Sequence, residues 1–269
     1  MSLSRRRTVA ALAAALPLVP AGAGVAGARP RTATVWIAGD STAAQKYADA
    51  APETGWGMAL PFFLTPHLTV ANHAMNGRSS KSFIDEGRLD TVLAGIRPGD
   101  LLLVQFGHND QKAADPARYT EPWTTYREHL LRYVAGARAR GARPVLLTPV
   151  ERRRFDAAGD ALPTHGEYPA AMRALAAEQG VPLVDVQAAS LAEWGRLGPE
   201  PSKAYFTWLA PGEWPGYPDG RQDNTHFRPR GAIEVARLVA AGLRARGVLA
   251  ARDVRRLEEP VPAAWITWP

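Results

Sequence analysis

Residues Asp100-Leu101-Leu102-Leu103-Val104-Gln105-Phe106 form an almost unbroken apolar run. A strand with one wet face alternates apolar and polar residues. A strand apolar on both faces must be covered on both, as in a parallel sheet with helices above and below. Four other short runs have related character: Thr34-Val35-Trp36-Ile37-Ala38, Leu68 to Ala71, Pro144-Val145-Leu146-Leu147-Thr148 and Pro182-Leu183-Val184-Asp185-Val186. Helical periodicity fills the spaces between. Tyr126 to Arg140 carries Leu130, Leu131, Val134 and Ala137 and stops at Gly141, and Tyr168 to Gln179 stops at Gly180. Ala232 to Arg244 places Ile233, Val235, Ala236, Val239 and Leu243 on one face. Strands alternating with helices predict right-handed crossovers and an α/β fold with a five-stranded, doubly wound parallel sheet.

Before the first strand the chain has a different character. Arg5, Arg6 and Arg7 precede an apolar run from Thr8 to Val19, and Ala26-Gly27-Ala28 offers a small-residue cleavage site. Residues 1–28 therefore read as a secretory signal, and Ser4-Arg5-Arg6-Arg7 also suits a twin-arginine signal. The apolar run is too short for a membrane span. Without its three arginines the net charge of +6 falls to +3. That balance does not call for nucleic acid, and no basic stripe with interleaved aromatics appears. Residues 29–269 are expected to be one exported domain, with a tail from about residue 251. The expected protein is secreted and monomeric.

Four polar motifs stand near strand ends. They are Gly39-Asp40-Ser41-Thr42, the segment from Asn72 to Ser80 containing Gly77, Gly107-His108-Asn109-Asp110, and Asp223-Asn224-Thr225-His226. In open parallel sheets, ligand sites lie outside the carboxyl ends of the strands. The first three motifs follow the first three strands, so they share one sheet edge. Ser41 is a candidate nucleophile and needs a base, because a protonated hydroxyl attacks poorly. His226 is the candidate base, and Asp223 can accept its other ring proton and stabilise the imidazolium. The Ser41 and Gly77 backbone N–H groups and the Asn109 amide can converge on a carbonyl oxygen that gains negative charge. This inventory suits acyl transfer.

These four blocks resemble those of the SGNH, or GDSL-type, hydrolase superfamily. Within it the chain resembles the rhamnogalacturonan acetylesterase family. Asn72, Ala74, Gly77-Arg78-Ser79-Ser80, Gln105-Phe106-Gly107-His108-Asn109-Asp110, His226-Phe227 and Tyr168-Pro169-Ala170-Ala171-Met172 support the narrower likeness, which spans roughly Thr34 to Gly247. The resemblance implies a three-layer, flavodoxin-like α/β/α fold and metal-independent removal of acetyl groups from plant cell-wall polysaccharide. It also implies Ser41 as nucleophile, His226 as base, Asp223 as its orienting acid, and an oxyanion hole of Ser41, Gly77 and Asn109. Thr42 departs from the leucine common in the wider superfamily.

Other residues bear on the reading. The chain has no cysteine, which excludes disulfides, thiolate metal sites and cysteine nucleophiles. Its six histidines lack the paired spacing of a zinc-binding helix, and no metal or other cofactor is expected. His108 is a candidate substrate contact, whereas His165 reads as an exposed loop residue. Arg152-Arg153-Arg154 reads as a solvated run. Leu197 to Pro229 reads as a long loop rich in proline and aromatics, whose Trp208 and Trp214 are candidates for stacking on sugar rings. Asp40 and Asp110 read as buried hydrogen-bonding residues.

Rival readings differ in what they require. A lipase or thioesterase of the same fold needs an apolar acyl tunnel, and an acetylxylan esterase differs only in its polysaccharide. A glycosidase needs two carboxylates flanking a sugar, and no such pair stands out. A noncatalytic carbohydrate-binding protein would bind sugar without releasing acetate.

Overall fold

The computed structural model describes residues Thr32–Pro269. The export signal expected over residues 1–28 lies outside the described residues. Strands β1 (Ala33–Gly39), β2 (Leu68–Asn72), β3 (Leu101–Gln105), β4 (Arg143–Leu147) and β5 (Leu183–Val184) form a parallel sheet in the order β2-β1-β3-β4-β5. Val35 pairs with both Leu101 and Val70, and Leu103 pairs with Val145. The order reverses beside β1, so β1 and β3 leave a crevice at their carboxyl ends.

Alternation along β3 builds the two cores. Leu101 and Leu103 face one layer and Leu102 and Val104 the other, and all four are almost fully buried. The first layer holds α1 (Trp56–Ala59), α6 (Val186–Leu197) and α8 (Pro229–Ala245), with Trp56, Trp194, Val239 and Leu243 in its core. The second holds α2 (Ser80–Asp85), α3 (Arg88–Gly95), α4 (Arg127–Ala139) and α5 (Tyr168–Gln179), with Phe83, Val92, Leu130 and Met172. Three layers around one sheet satisfy the demand set by a strand apolar on both faces.

Two elements differ from the sequence reading. The fifth strand is only Leu183–Val184, because Asp185 caps α6 by accepting a hydrogen bond from the Ala188 N–H. The segment from Leu197 to Pro229 is not a long loop. It contains α7 (Pro199–Ser202) and an antiparallel pair, β6 (Phe206–Leu209) and β7 (Arg221–Phe227). Phe206 and Phe227 are fully buried against Trp194, with ring centroids 5.0 and 6.3 Å from it. Apolar anchors at both strands' outer ends fold this ribbon down onto the first layer.

The residues beyond 250 pack back on the same layer. Leu64 and Val254 form an antiparallel bridge, Ile266 is buried, and the Trp268 indole N–H donates to the Glu53 carbonyl at 2.8 Å.

Candidate active site

The turn after β1 is built by its own aspartate. Asp40 is fully buried, and its Oδ1 accepts from the Thr42 N–H at 2.9 Å and the Thr42 hydroxyl at 2.7 Å. Its Oδ2 faces His108 Nδ1 at 3.1 Å. Burial alone would raise the Asp40 pKa, but the charge and hydrogen bond of His108, with the Thr42 donors, hold it far below the usual carboxylate range. Asp40 thus clamps the turn and leaves Ser41 at its apex.

The second block is held by local hydrogen bonds. Asn72 Nδ2 donates to the Ala43 carbonyl at 2.8 Å, and the Met75 N–H donates to the Gly39 carbonyl at 3.0 Å. Gly77 has φ +76°, a left-handed conformation that glycine adopts without steric cost. Ser79 then caps α2, accepting from the Ser82 N–H.

The third block is tied to the second. Asp110 accepts from the Ser80 N–H at 3.0 Å, the Ser80 hydroxyl at 2.5 Å and the Thr120 hydroxyl at 3.1 Å. Burial pushes the Asp110 pKa up to about 7, against those donors, with the nearby Asp40 charge acting in the same direction as burial. Asn109 Nδ2 donates to the Arg78 carbonyl at 2.9 Å. An amide nitrogen has two N–H groups, so one is anchored there and one is left for a ligand.

The fourth block reaches the others from outside the parallel sheet. Asp223 and His226 lie on β7, which docks through the Thr54 N–H on the Phe227 carbonyl at 2.8 Å. Nearby, the Trp56 N–H holds the Thr42 carbonyl at 2.9 Å. His226 Nε2 lies 2.8 Å from Ser41 Oγ, and His226 Nδ1 lies 2.9 Å from Asp223 Oδ2. Asp223 Oδ1 accepts from the N–H groups of Thr225 and His226 at 2.7 and 3.0 Å. Burial opposes ionisation of Asp223, but its bonds to His226 and these backbone donors hold its pKa well below the usual range. An ionised Asp223 accepts the Nδ1–H, which leaves the Nε2 lone pair facing the Ser41 hydroxyl. That arrangement can take a proton from Ser41.

Ser41, Gly77, Asn109 and His226 line one cavity of about 520 Å³. His108 also lines it, but its Nδ1 is committed to Asp40 and its Nε2 is buried without a hydrogen-bond partner among the described residues. Trp208 and Trp214 do not line this cavity. Arg153 and Lys203 stack on the Trp208 ring at 4.9 and 4.5 Å, and Trp214 packs edge-on to Trp268. The folding of β6 and β7 turns both indoles toward protein neighbours.

Further sequence expectations need correction. His165 is fully buried rather than exposed, with Nε2 at 2.9 Å from the Val150 carbonyl and its ring 4.4 Å from that of His108. Arg152 and Arg153 are half-buried, and of the three only Arg154 is exposed. Arg153 hydrogen-bonds Ser202 and Asn224, and Arg152 reaches the cavity together with Lys112 and Glu53. Sequence reasoning passed over these cavity residues because none belongs to a motif. The one available signal was that Arg152 follows the carboxyl end of β4, at the same sheet edge.

Known proteins share this organisation. A model of the GDSL-like lipase/acylhydrolase family matches residues 37–232. The chain is 46% identical over 214 residues to rhamnogalacturonan acetylesterase RhgT of Bacillus subtilis (strain 168), covering 80% of this chain and 90% of that one. It is 44% identical to the probable rhamnogalacturonan acetylesterase YesY of the same organism, over 80% of this chain and 94% of that one. The crystal structure of protein YXIM of Bacillus subtilis superposes with a TM-score of 0.69 at 28% identity, over 81% of this chain and 57% of the other. This chain thus spans little more than half of that neighbour's length. The family match runs from the first strand into α8 and takes in all four motifs, and so the chain belongs to the GDSL-like lipase/acylhydrolase family.

Proposed function

We propose that this protein is an exported serine esterase that removes acetyl groups from a pectic polysaccharide of the rhamnogalacturonan type. The observation that carries the reading is the hydrogen-bonded line from Ser41 Oγ through the His226 ring to Asp223. Two relatives above 40% identity, named for rhamnogalacturonan acetylesterase activity, support the substrate class. The basic and apolar segments before residue 29 support export.

The chemistry proceeds in two halves. Ser41 Oγ attacks the acetyl carbonyl carbon while its proton passes to His226 Nε2. The carbonyl oxygen takes the negative charge and receives the Ser41 and Gly77 N–H groups and the free N–H of Asn109. The C–O bond to the sugar breaks, and His226 returns the proton to the departing sugar oxygen. Water, deprotonated by His226, then attacks the acetyl-serine carbonyl and releases acetate, and the proton goes back to Ser41. Asp223 stays ionised throughout and stabilises the imidazolium.

Acetate release from acetylated rhamnogalacturonan, pectin and xylan, measured for wild type and Ser41→Ala, tests this. Release from rhamnogalacturonan is expected, with a loss of at least ~10³-fold in the variant and an unchanged circular dichroism spectrum. Retained turnover in Ser41→Ala would exclude the assignment. Turnover of long-chain para-nitrophenyl esters without polysaccharide deacetylation would move the reading to a lipase.

A further inference from the structure

The cavity beside Ser41 carries two cations that no ion pair among the described residues neutralises, although the charges of Asp40, Glu151 and Asp223 act on Arg152 from beyond 4.0 Å. Among the described residues the cavity's one acid, Glu53, is already engaged: Lys46 Nζ lies 2.6 Å from Oε1 and Arg221 lies 3.7 Å from Oε2. The neighbouring Arg118 is paired with Asp115. Arg152 and Lys112 also line the cavity, and neither has a carboxylate within 4.0 Å among the described residues. Among the described residues, the hydrogen-bond partners of Arg152 are neutral. Its Nη2 lies 3.3 Å from the His108 carbonyl, and its Nη1 lies 3.5 Å from the Thr164 carbonyl, the Thr164 hydroxyl and His165 Nδ1. The Gln111 amide oxygen, turned toward the guanidinium, accepts at 2.7 and 2.9 Å.

A partly buried guanidinium keeps its charge, and with no carboxylate in contact its N–H groups can take an incoming anion directly. Lys112 adds a second cation. Burial, then Arg118 and Arg152, draw its pKa below the usual lysine value, as expected where like charges crowd one space. Both cations are fixed to the turn that carries the candidate oxyanion donor. Arg152 holds the His108 carbonyl, and the Lys112 backbone N–H donates to the Asn109 carbonyl at 3.2 Å. An anion between them would sit beside the scissile ester.

We propose that Arg152 and Lys112 form a subsite for a uronate carboxylate of the sugar chain, and that this subsite makes the enzyme prefer acetyl esters on acidic polysaccharides over those on neutral ones. The inference rests on the acetylesterase reading above and adds the residues that choose the polysaccharide. A planar guanidinium matches a carboxylate with two parallel N–H donors, and the ammonium supplies a second, mobile contact. A neutral xylan would leave both cations unpaired. An acidic chain would also be drawn to the cavity from a distance, and salt would weaken that attraction.

Kinetics on acetylated rhamnogalacturonan oligosaccharides and on their carboxyl-reduced, acetylated counterparts test the selection. In wild type the charged substrate should show the lower KM by ~3–10-fold, the range of one or two partly exposed charge-assisted contacts. Added sodium chloride should erase the difference by raising KM for the charged substrate alone. Lys112→Gln and Arg152→Gln should narrow the gap, Lys112→Arg should keep it, and Lys81→Gln, at a lysine that is paired with Asp85 and does not line the cavity, should behave as wild type. Calorimetric titration with digalacturonate, with neutral galactobiose as control, reads the subsite without any turnover. Digalacturonate binding that weakens in Lys112→Gln, in a protein releasing no acetate, would retain the subsite and remove the esterase reading. Equal KM values for the two substrates, independent of salt, would overturn the inference and leave the esterase reading intact. Equal binding of digalacturonate and galactobiose would overturn it as well. Lys112 is exposed, so its variants test the idea even if Arg152→Gln fails to fold.

Discussion

Asp223 Oδ2, which faces His226 Nδ1 at 2.9 Å, also receives Arg221 Nη2 at 2.6 Å. One carboxylate oxygen therefore serves two donors. Arg221 continues to Glu53, Glu53 to Lys46, and Lys46 Nζ donates to Asn76 Oδ1 at 2.6 Å. Asn76 immediately precedes Gly77, so a line of alternating charge links the candidate base to the candidate oxyanion loop.

Removing the guanidinium should change how the imidazole is held. Arg221→Gln is expected to lower kcat by ~10-fold, the scale of one charge-assisted hydrogen bond. The loss should fall on kcat more than on KM, because the guanidinium orders the carboxylate that holds the imidazole. A lowered melting temperature with kcat unchanged would mean that Arg221 serves only packing.

Asn109 is expected to act on the transition state more than on binding. Asn109→Ala should lose ~10²–10³ in kcat, as loss of one oxyanion donor does elsewhere, with little change in KM. The same substitution frees the Arg78 carbonyl, so a thermal melt should accompany the kinetics.

Acid stability should follow the clamped carboxylates. Asp40 and Asp223 have folded pKa values below their ordinary 3.8. As pH falls, the unfolded chain takes up their protons first, so their contribution is intact above about pH 4 and lost below it. Asp110, raised to about 7, has the opposite sign between those two values, because there the folded state holds the extra proton. Melting temperatures below pH 4 therefore report the lowered carboxylates, Asp185 among them, without the opposing Asp110, and the Asp40→Asn variant separates out the Asp40 share. Asp40→Asn should be less stable at pH 7 and show a shallower fall in acid.

Two glycines in helices should respond in opposite ways. A Cβ on Gly231, in α8, would stand 2.0 Å from the Tyr205 carbonyl oxygen. Gly231→Ala should destabilise by about 1–3 kcal/mol, since backbone rather than a flexible side chain must move. A Cβ on Gly195, in α6, would meet only Ala161 at an ordinary 3.8 Å. Gly195→Ala should stabilise by about 0.5–1 kcal/mol from helix propensity. Urea midpoints for both variants provide the measurement.

Much of the frame was legible because it is local. The apolar faces of Leu101 to Val104 demanded cover on both sides, and helices supply it. The turn at Asp40 to Thr42 closes within its own motif. The ribbon β6–β7 was hidden because prolines and aromatics between Leu197 and Pro229 resemble a loop when their anchor, Trp194, is not in view. His165 was misjudged for a similar reason. A histidine in a polar stretch carries no sign that the Val150 carbonyl and the His108 ring will enclose it.

The sequence by itself determined the sheet, the edge on which three motifs gather, and the residue types available for acyl transfer. Periodicity, glycine stops and short-range hydrogen bonds encode these within a few residues of each other. Only the tertiary structure decided that His226 meets Ser41 across 185 positions of sequence, that Trp208 and Trp214 turn away, and that Arg152 and Lys112 face the cavity with no carboxylate partner among the described residues. Contact and charge compensation depend on distance through space, which long-range packing sets and no local pattern records.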